Sequence, residues 1–280
     1  MFSKIATRLV QTAQSEIQLL KYHRQPTINV RYFSDVVNWG DLLNVDIIQY
    51  VSQKKVVNCP LGHRRHLLGI GSVLAASNHN SVVWGSGFIS EQQRITEAPR
   101  KICSVRGPLT RDLLLKQDLK CPEIFGDPAL LLPEIYPLVA PAEKPYQLGI
   151  IPHYEHQDHP WIQKMRQDSR VCIIDIRQSD SVQFLQQLLN CEYIASSSLH
   201  GIIASDAYQV PNCRLVFKEM RSFKFEDYYK GVGIDSFTSL DMKQSESLSI
   251  ENVIDSCSIK PIQFDAHALK QAFPYQLFHA

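Results

Sequence analysis

Short apolar runs that end in glycine or serine, each followed by a stretch of helical periodicity, recur along the chain. This alternation limits the possible folds more than any other feature. INVRYF (28–33), HLLGIGS (66–72), SVVWGSGF (81–88) and KICSVRG (101–107) read as strands. So do YQLGIIPH (146–153), RVCIIDIR (170–177), CEYIASSS (191–198) and NCRLVF (212–217). Between them, GDLLNVDIIQYVS (40–52) spaces Leu43, Ile47, Ile48 and Val51 as a helix does, with Asp41 near its N-cap. PLTRDLLLKQ (108–117) carries Pro108 in its first turn, and DSVQFLQQLLN (180–190) is a further helix. Strands alternating with helices build parallel sheets in α/β layers.

Prolines at 133, 137, 141 and 145 mark PEIYPLVAPAEKPYQ (133–147) as a linker. The expected fold is therefore α/β, with two Rossmann-like domains whose parallel sheets face a cleft. Their expected extents are 1–138 and 146–280. The less regular segment 236–280 is expected to return to the first domain, with DAHALKQAF (265–273) as a terminal helix.

Length and composition permit a sizeable core: 280 residues, 44% hydrophobic and 20% charged. A formal net charge of +1 leaves no global basic field for a nucleic-acid backbone, so an anion site has to be local. The seven cysteines are odd in number and lack CxxC spacing, which points to buried thiols in a reducing cytoplasm. The N-terminal MFSKIATRLVQTAQSEIQLLKYH has no unbroken apolar core, so no signal peptide is expected, and nothing is long and apolar enough to span a membrane.

In parallel α/β sheets, chemistry gathers at the carboxyl ends of strands. There stand Asn38 and Asp41, Ser86 between Gly85 and Gly87, Arg106, His153, and the run Ser196 to Gly201. Ser197 or Ser198 suits an N-cap, leaving the amides of Leu199, His200 and Gly201 as free donors for an anion. Gly201 would let a ligand approach the backbone, and His200 could move a proton near neutral pH. Arg106 either grips a phosphate or carboxylate or pairs with Asp112 at the surface. Asp41 either acts on a hydroxyl or caps its helix, and His153 is either a ligand contact or structural. The basic cluster GHRRH (62–66) and the segment KEMRSFKFEDYY (218–229) are each either solvated or anion-facing. Gly69-x-Gly71 and Gly85-x-Gly87 do not extend to a dinucleotide fingerprint, because positions 74 and 90 are Leu74 and Ser90. No motif of metal-ligand spacing occurs, and neither metal nor cofactor is expected.

Eight segments in order resemble the polysaccharide pyruvyl transferase family, in its bacterial exopolysaccharide and capsule branch. They are NWGD (38–41), LLGIGSVL (67–74), VVWGSGF (82–88), SVRGPLTRDLL (104–114), GDPALLLP (126–133), GIIPHY (149–154), SSSLHGIIASDAY (196–208) and KFEDYYKGVG (224–233). The resemblance implies a GT-B-like architecture and transfer of pyruvate from phosphoenolpyruvate to two sugar hydroxyls, giving a cyclic ketal and phosphate. It places the family's L-H-G histidine at His200, its R-G-P arginine at Arg106 and its N-x-G-D aspartate at Asp41; we expect His200 and Asp41 to be catalytic, with His200 the general acid. Arg106, Ser198, Leu199, His200, Gly201 and Lys224 would bind the donor; Asn38, Asp41, Ser86 and His153 would bind the acceptor. Much of the family has arginine where this chain has Ser198, and Lys224, Arg221, Lys218 or Arg177 are the cations available to replace it. The acceptor would be a sugar; a lipid-linked one would put the protein at the inner membrane face, through the N-terminal helix or GHRRH (62–66). The alternatives are a GT-B glycosyltransferase using a nucleotide sugar and a non-catalytic, anion-binding relative.

Overall fold

A computed structural model describes residues 2–22, 24–217, 222–242 and 248–278, with side chains from residue 6 onward. The elements in the first half are α1 (Phe2–Lys21), β1 (Thr27–Val30), α2 (Trp39–Ser52), β2 (Lys55–Asn58), β3 (His66–Leu68), β4 (Ser81–Trp84), β5 (Lys101–Ser104), α3 (Pro108–Leu115) and α4 (Leu132–Ile135). The second half contributes β6 (Tyr146–Ile151), α5 (Pro160–Met165), β7 (Val171–Ile173), α6 (Ser181–Leu189), β8 (Cys191–Ser196), α7 (Leu199–Ala207), β9 (Asn212–Val216) and α8 (Phe223–Gly231). It ends with β10 (Ser239–Asp241), α9 (Ile250–Asp255) and α10 (Ala266–Gln271).

The strands form two five-stranded sheets, ordered β2-β1-β3-β4-β5 and β10-β9-β8-β6-β7. Among the described residues every pairing between these strands is parallel; Ile28 stands beside Val56, and Ile151 beside Ser196. The chain adopts the expected α/β architecture of two Rossmann-like halves. In each sheet the strand order reverses once, between β1 and β3 and between β6 and β8, and such reversals open a crevice at the strands' carboxyl ends. The edge strand β2 went unread in the sequence, because KVVN is short and half-polar beside Lys54.

One core joins the halves. Trp39, at the start of α2, stacks on Phe184 of α6 with ring centroids 3.7 Å apart. Its amide donates to the Ile176 carbonyl (2.8 Å) and its indole N–H to Ser181 Oγ (3.2 Å). The C-terminal segment returns to the first sheet, where the Trp84 indole donates to the Leu269 carbonyl (2.8 Å) and Phe273 meets the same ring edge-on. Helix α8 crosses to α3, where Gly107 is obligatory: a Cβ there would overlap the Asp227 backbone. These contacts bring the two crevices face to face.

Candidate active site

Two helix N-termini meet between the crevices. Helix α2 is capped by Asn38, whose Oδ1 accepts from the Gly40 amide (3.0 Å), so the cap falls to Asn38 and Asp41 lies in the first turn. Helix α7 is capped by Ser198, whose side chain makes no capping bond, which leaves the first-turn amides without a side-chain acceptor. Serines of the same run brace the turn: Ser196 Oγ accepts from the Ser198 amide (3.0 Å), and Ser197 Oγ accepts from the His153 amide (2.9 Å). Gly40 is the contact point between the helices, since a Cβ there would collide with the His200 ring.

A cavity of about 180 Å³ lies at this junction, lined by Asn38, Asp41, Ser72, His153, Ser198, Leu199, His200 and Lys224, among others. It shares His153 and Lys224 with a second cavity of about 340 Å³, and Phe33, Ser72 and Val73 with a third of about 320 Å³. A larger cavity of about 790 Å³, between β5 and the C-terminal segment, contains none of the candidate residues.

Burial sets the protonation states. Loss of solvent pushes the Asp41 carboxyl up to about 7, helped by Asp127 and opposed by the Lys224 charge. His200 is pushed down to about 3 by desolvation, then by the Lys224 and Arg106 charges. These shifts favour a proton on Asp41 near neutral pH and a neutral His200 in the free protein. The ring Nε2 of His200 stands 3.8 Å from Oδ2 of Asp127, and neither atom has a hydrogen-bond partner among the described residues. Asp127 is fully buried, its Oδ1 accepts from the Ala129 amide (3.0 Å), and burial pushes it up to about 6. The GDP sequence signals only a cap, so the place of Asp127 behind His200 was not readable.

Arg106 is the largest correction. It is completely buried, and its partner is Asp227 rather than Asp112. Nε donates to Asp227 Oδ2 (3.0 Å), one terminal nitrogen to Ser72 Oγ (2.8 Å) and the other to the Phe88 carbonyl (2.6 Å). Asp227 also accepts from the Thr110 amide (2.8 Å) and hydroxyl (2.7 Å). With its donors so engaged, Arg106 does not reach the cavity as a donor ligand; it fixes Ser72 in the wall. Two other residues have structural jobs. Ser86 is buried away from the cavity and donates to the Gly71 carbonyl (2.9 Å). Gly201 packs against Ser196 Oγ and Ile151, so its missing side chain serves the strand behind it rather than a ligand.

Among the cations suggested to replace the arginine absent at 198, Lys224 lines the cavity. It stands one turn before Asp227 on α8, so the buried Arg106–Asp227 pair anchors the helix that carries it. Arg177 is exposed and pairs with Asp175 (2.9 Å). Lys218 and Arg221 lie outside the described residues.

The family model for polysaccharide pyruvyl transferase matches residues 56–216. The chain is 32% identical over 226 residues to an uncharacterized protein, L143, of Acanthamoeba polyphaga mimivirus, covering 77% of this chain and 78% of that one. It is 28% identical over 177 residues to the succinoglycan biosynthesis protein ExoV of Rhizobium meliloti (strain 1021), covering 60% of this chain and 54% of ExoV. The crystal structure of an uncharacterized Klebsiella pneumoniae protein aligns with a TM-score of 0.45 at 11% identity, covering 78% of this chain and 93% of that one. With that match over more than half its length, the chain belongs to the polysaccharide pyruvyl transferase family.

Proposed function

We propose that the protein transfers the pyruvyl group of phosphoenolpyruvate to two hydroxyls of a sugar acceptor, releasing phosphate and leaving a cyclic ketal. The observation that carries this reading is the junction cavity. It brings a carboxyl that keeps its proton near neutral pH, a lysine and the open N-terminus of α7 into one wall.

Donation of the Asp41 proton to C3 of the donor makes a methyl group and an electron-poor C2, to which the first sugar hydroxyl adds. The C2–O bond to phosphate then breaks, and the second hydroxyl closes the ring. One hydroxyl proton restores Asp41 and the other leaves with phosphate, so protons balance. Lys224 and the amides of α7 hold the phosphate and stabilise it on departure. The donor's negative charge raises the affinity of Asp41 for its proton, so the bound complex keeps the acid loaded. His200, neutral and backed by Asp127, holds the donor in place.

Titration calorimetry with phosphoenolpyruvate, using nucleotide sugars as controls, tests the reading. Saturable phosphoenolpyruvate binding is expected, weakened at least about tenfold by Lys224→Ala. Asp41→Asn should bind the donor yet lose about 10²–10⁴-fold in phosphate release with an acceptor present. Tight nucleotide-sugar binding with none of phosphoenolpyruvate would overturn the proposal in favour of glycosyl transfer.

A further inference from the structure

Helix α1 turns its polar face to the protein and its apolar face to solvent. On the inner side, the Gln11 amide donates to the Ser34 carbonyl (2.8 Å), Ser15 is buried, and Glu16 pairs with Arg64 (2.6 Å). On the outer side, Leu9, Val10, Ile17 and Leu20 are 56%, 59%, 65% and 74% exposed. With the exposed Ala13 they fall within an arc of about 100° at 3.6 residues per turn, so they form one stripe. An amphipathic helix normally buries such a stripe, and here the inner polar contacts hold it outward.

The charges around it indicate the occupant. Arg8, Lys21 and Arg24 accompany the helix, whose sole acidic residue from position 6 to 24 is Glu16. The loop joined to it through Arg64 adds Arg65. This is a locally basic surface on a chain of net charge +1. A second copy seated on the same stripe in a two-fold contact would set that surface against itself. An anionic lipid surface takes both the apolar stripe and the cations. No described helix is long and apolar enough to cross a membrane, so α1 would lie in the interface.

We propose that α1 docks the protein on anionic lipid surfaces through Leu9, Val10, Ala13, Ile17 and Leu20. Arg8 and Gln11, on its inner side, line the 320 Å³ cavity that shares Phe33, Ser72 and Val73 with the junction cavity. Docking therefore sets a membrane surface beside the route to the site, where a lipid-carried acceptor could be reached. That use rests on the pyruvyl transfer proposed above, whereas the docking itself does not.

Flotation of the full chain with vesicles of phosphatidylcholine, alone or mixed with phosphatidylglycerol, tests it. The parent should float with the anionic vesicles. Leu9→Gln/Ile17→Gln/Leu20→Gln should bind about tenfold or more weakly, with melting temperature and phosphoenolpyruvate binding unchanged. Lys21→Glu/Arg24→Glu should reduce binding to the anionic vesicles only. A parent that stays unfloated, a triple variant that floats equally well, or a sedimenting dimer that the triple variant dissociates would each overturn the proposal. Flotation without phosphoenolpyruvate binding would uphold docking while removing the pyruvyl-transfer reading.

Discussion

A carboxyl group sealed from water keeps its proton at the expense of the folded state once the unfolded chain would ionise it. Asp127 is the sealed case, raised from 3.8 to about 6. Its stability contribution is full below pH 3.8 and is lost as the pH rises through about 6. The difference corresponds to about 3 kcal/mol. Asp127→Asn keeps the acceptor for the Ala129 amide and removes the charge. The variant should match the parent below about pH 4 and exceed it by up to about 3 kcal/mol near pH 8, measured by urea titration across pH. A difference that stays flat with pH would refute a buried, proton-holding carboxyl. His200 acts with the opposite sign, losing stability as pH falls from 6.5 toward about 3. The identities of Asp41, His200 and Lys224 were legible as candidates in the sequence. The protonation of Asp41 and His200 was not, because it depends on burial supplied by the other half of the chain.

At the scale of elements, the site is a meeting of two helix N-termini, and Gly40 sets how closely they approach. Gly40→Ala adds a methyl where the His200 ring lies. Alanine favours the helix by about 1 kcal/mol over glycine, whereas overpacking a filled contact costs about 1–3 kcal/mol, so the clash should win. A lower melting temperature and a larger fractional loss of turnover than of donor affinity are expected; an unchanged melting temperature would mean that α2 and α7 can slide apart. In helix α1, the face that meets the protein is decided by Gln11 and Glu16 finding polar partners at Ser34 and Arg64, with Ser15 buried on the same side and bonded back to the Gln11 carbonyl.

Across the whole molecule, the Arg106–Asp227 pair ties α3 to α8 and thereby places Lys224. Both side chains are fully buried, so breaking the pair strands a charge. Arg106→Met should destabilise by about 3–5 kcal/mol, and Arg106→Met/Asp227→Leu should recover part of that loss because no charge is left unpaired. Chemical denaturation of both variants decides it; a double variant no more stable than the single would assign the cost to lost packing. A partially recovered double variant should still bind phosphoenolpyruvate less well than the parent if the pair's task is to hold α8 over the cavity.

The amino-acid sequence by itself determined the α/β alternation, the strand-end positions of Asp41, His153 and His200, a cap at Ser197 or Ser198, and the family. All of these are encoded by period, capping chemistry or order along the chain. Only the tertiary structure decided that Arg106 spends its donors on Asp227, Ser72 and Phe88, and that Asp127 stands behind His200. It also decided that burial raises the Asp41 carboxyl and lowers His200, and that the apolar stripe of α1 faces outward. These outcomes depend on partners from distant segments of the chain, and local sequence carries no record of which buried groups packing will bring together.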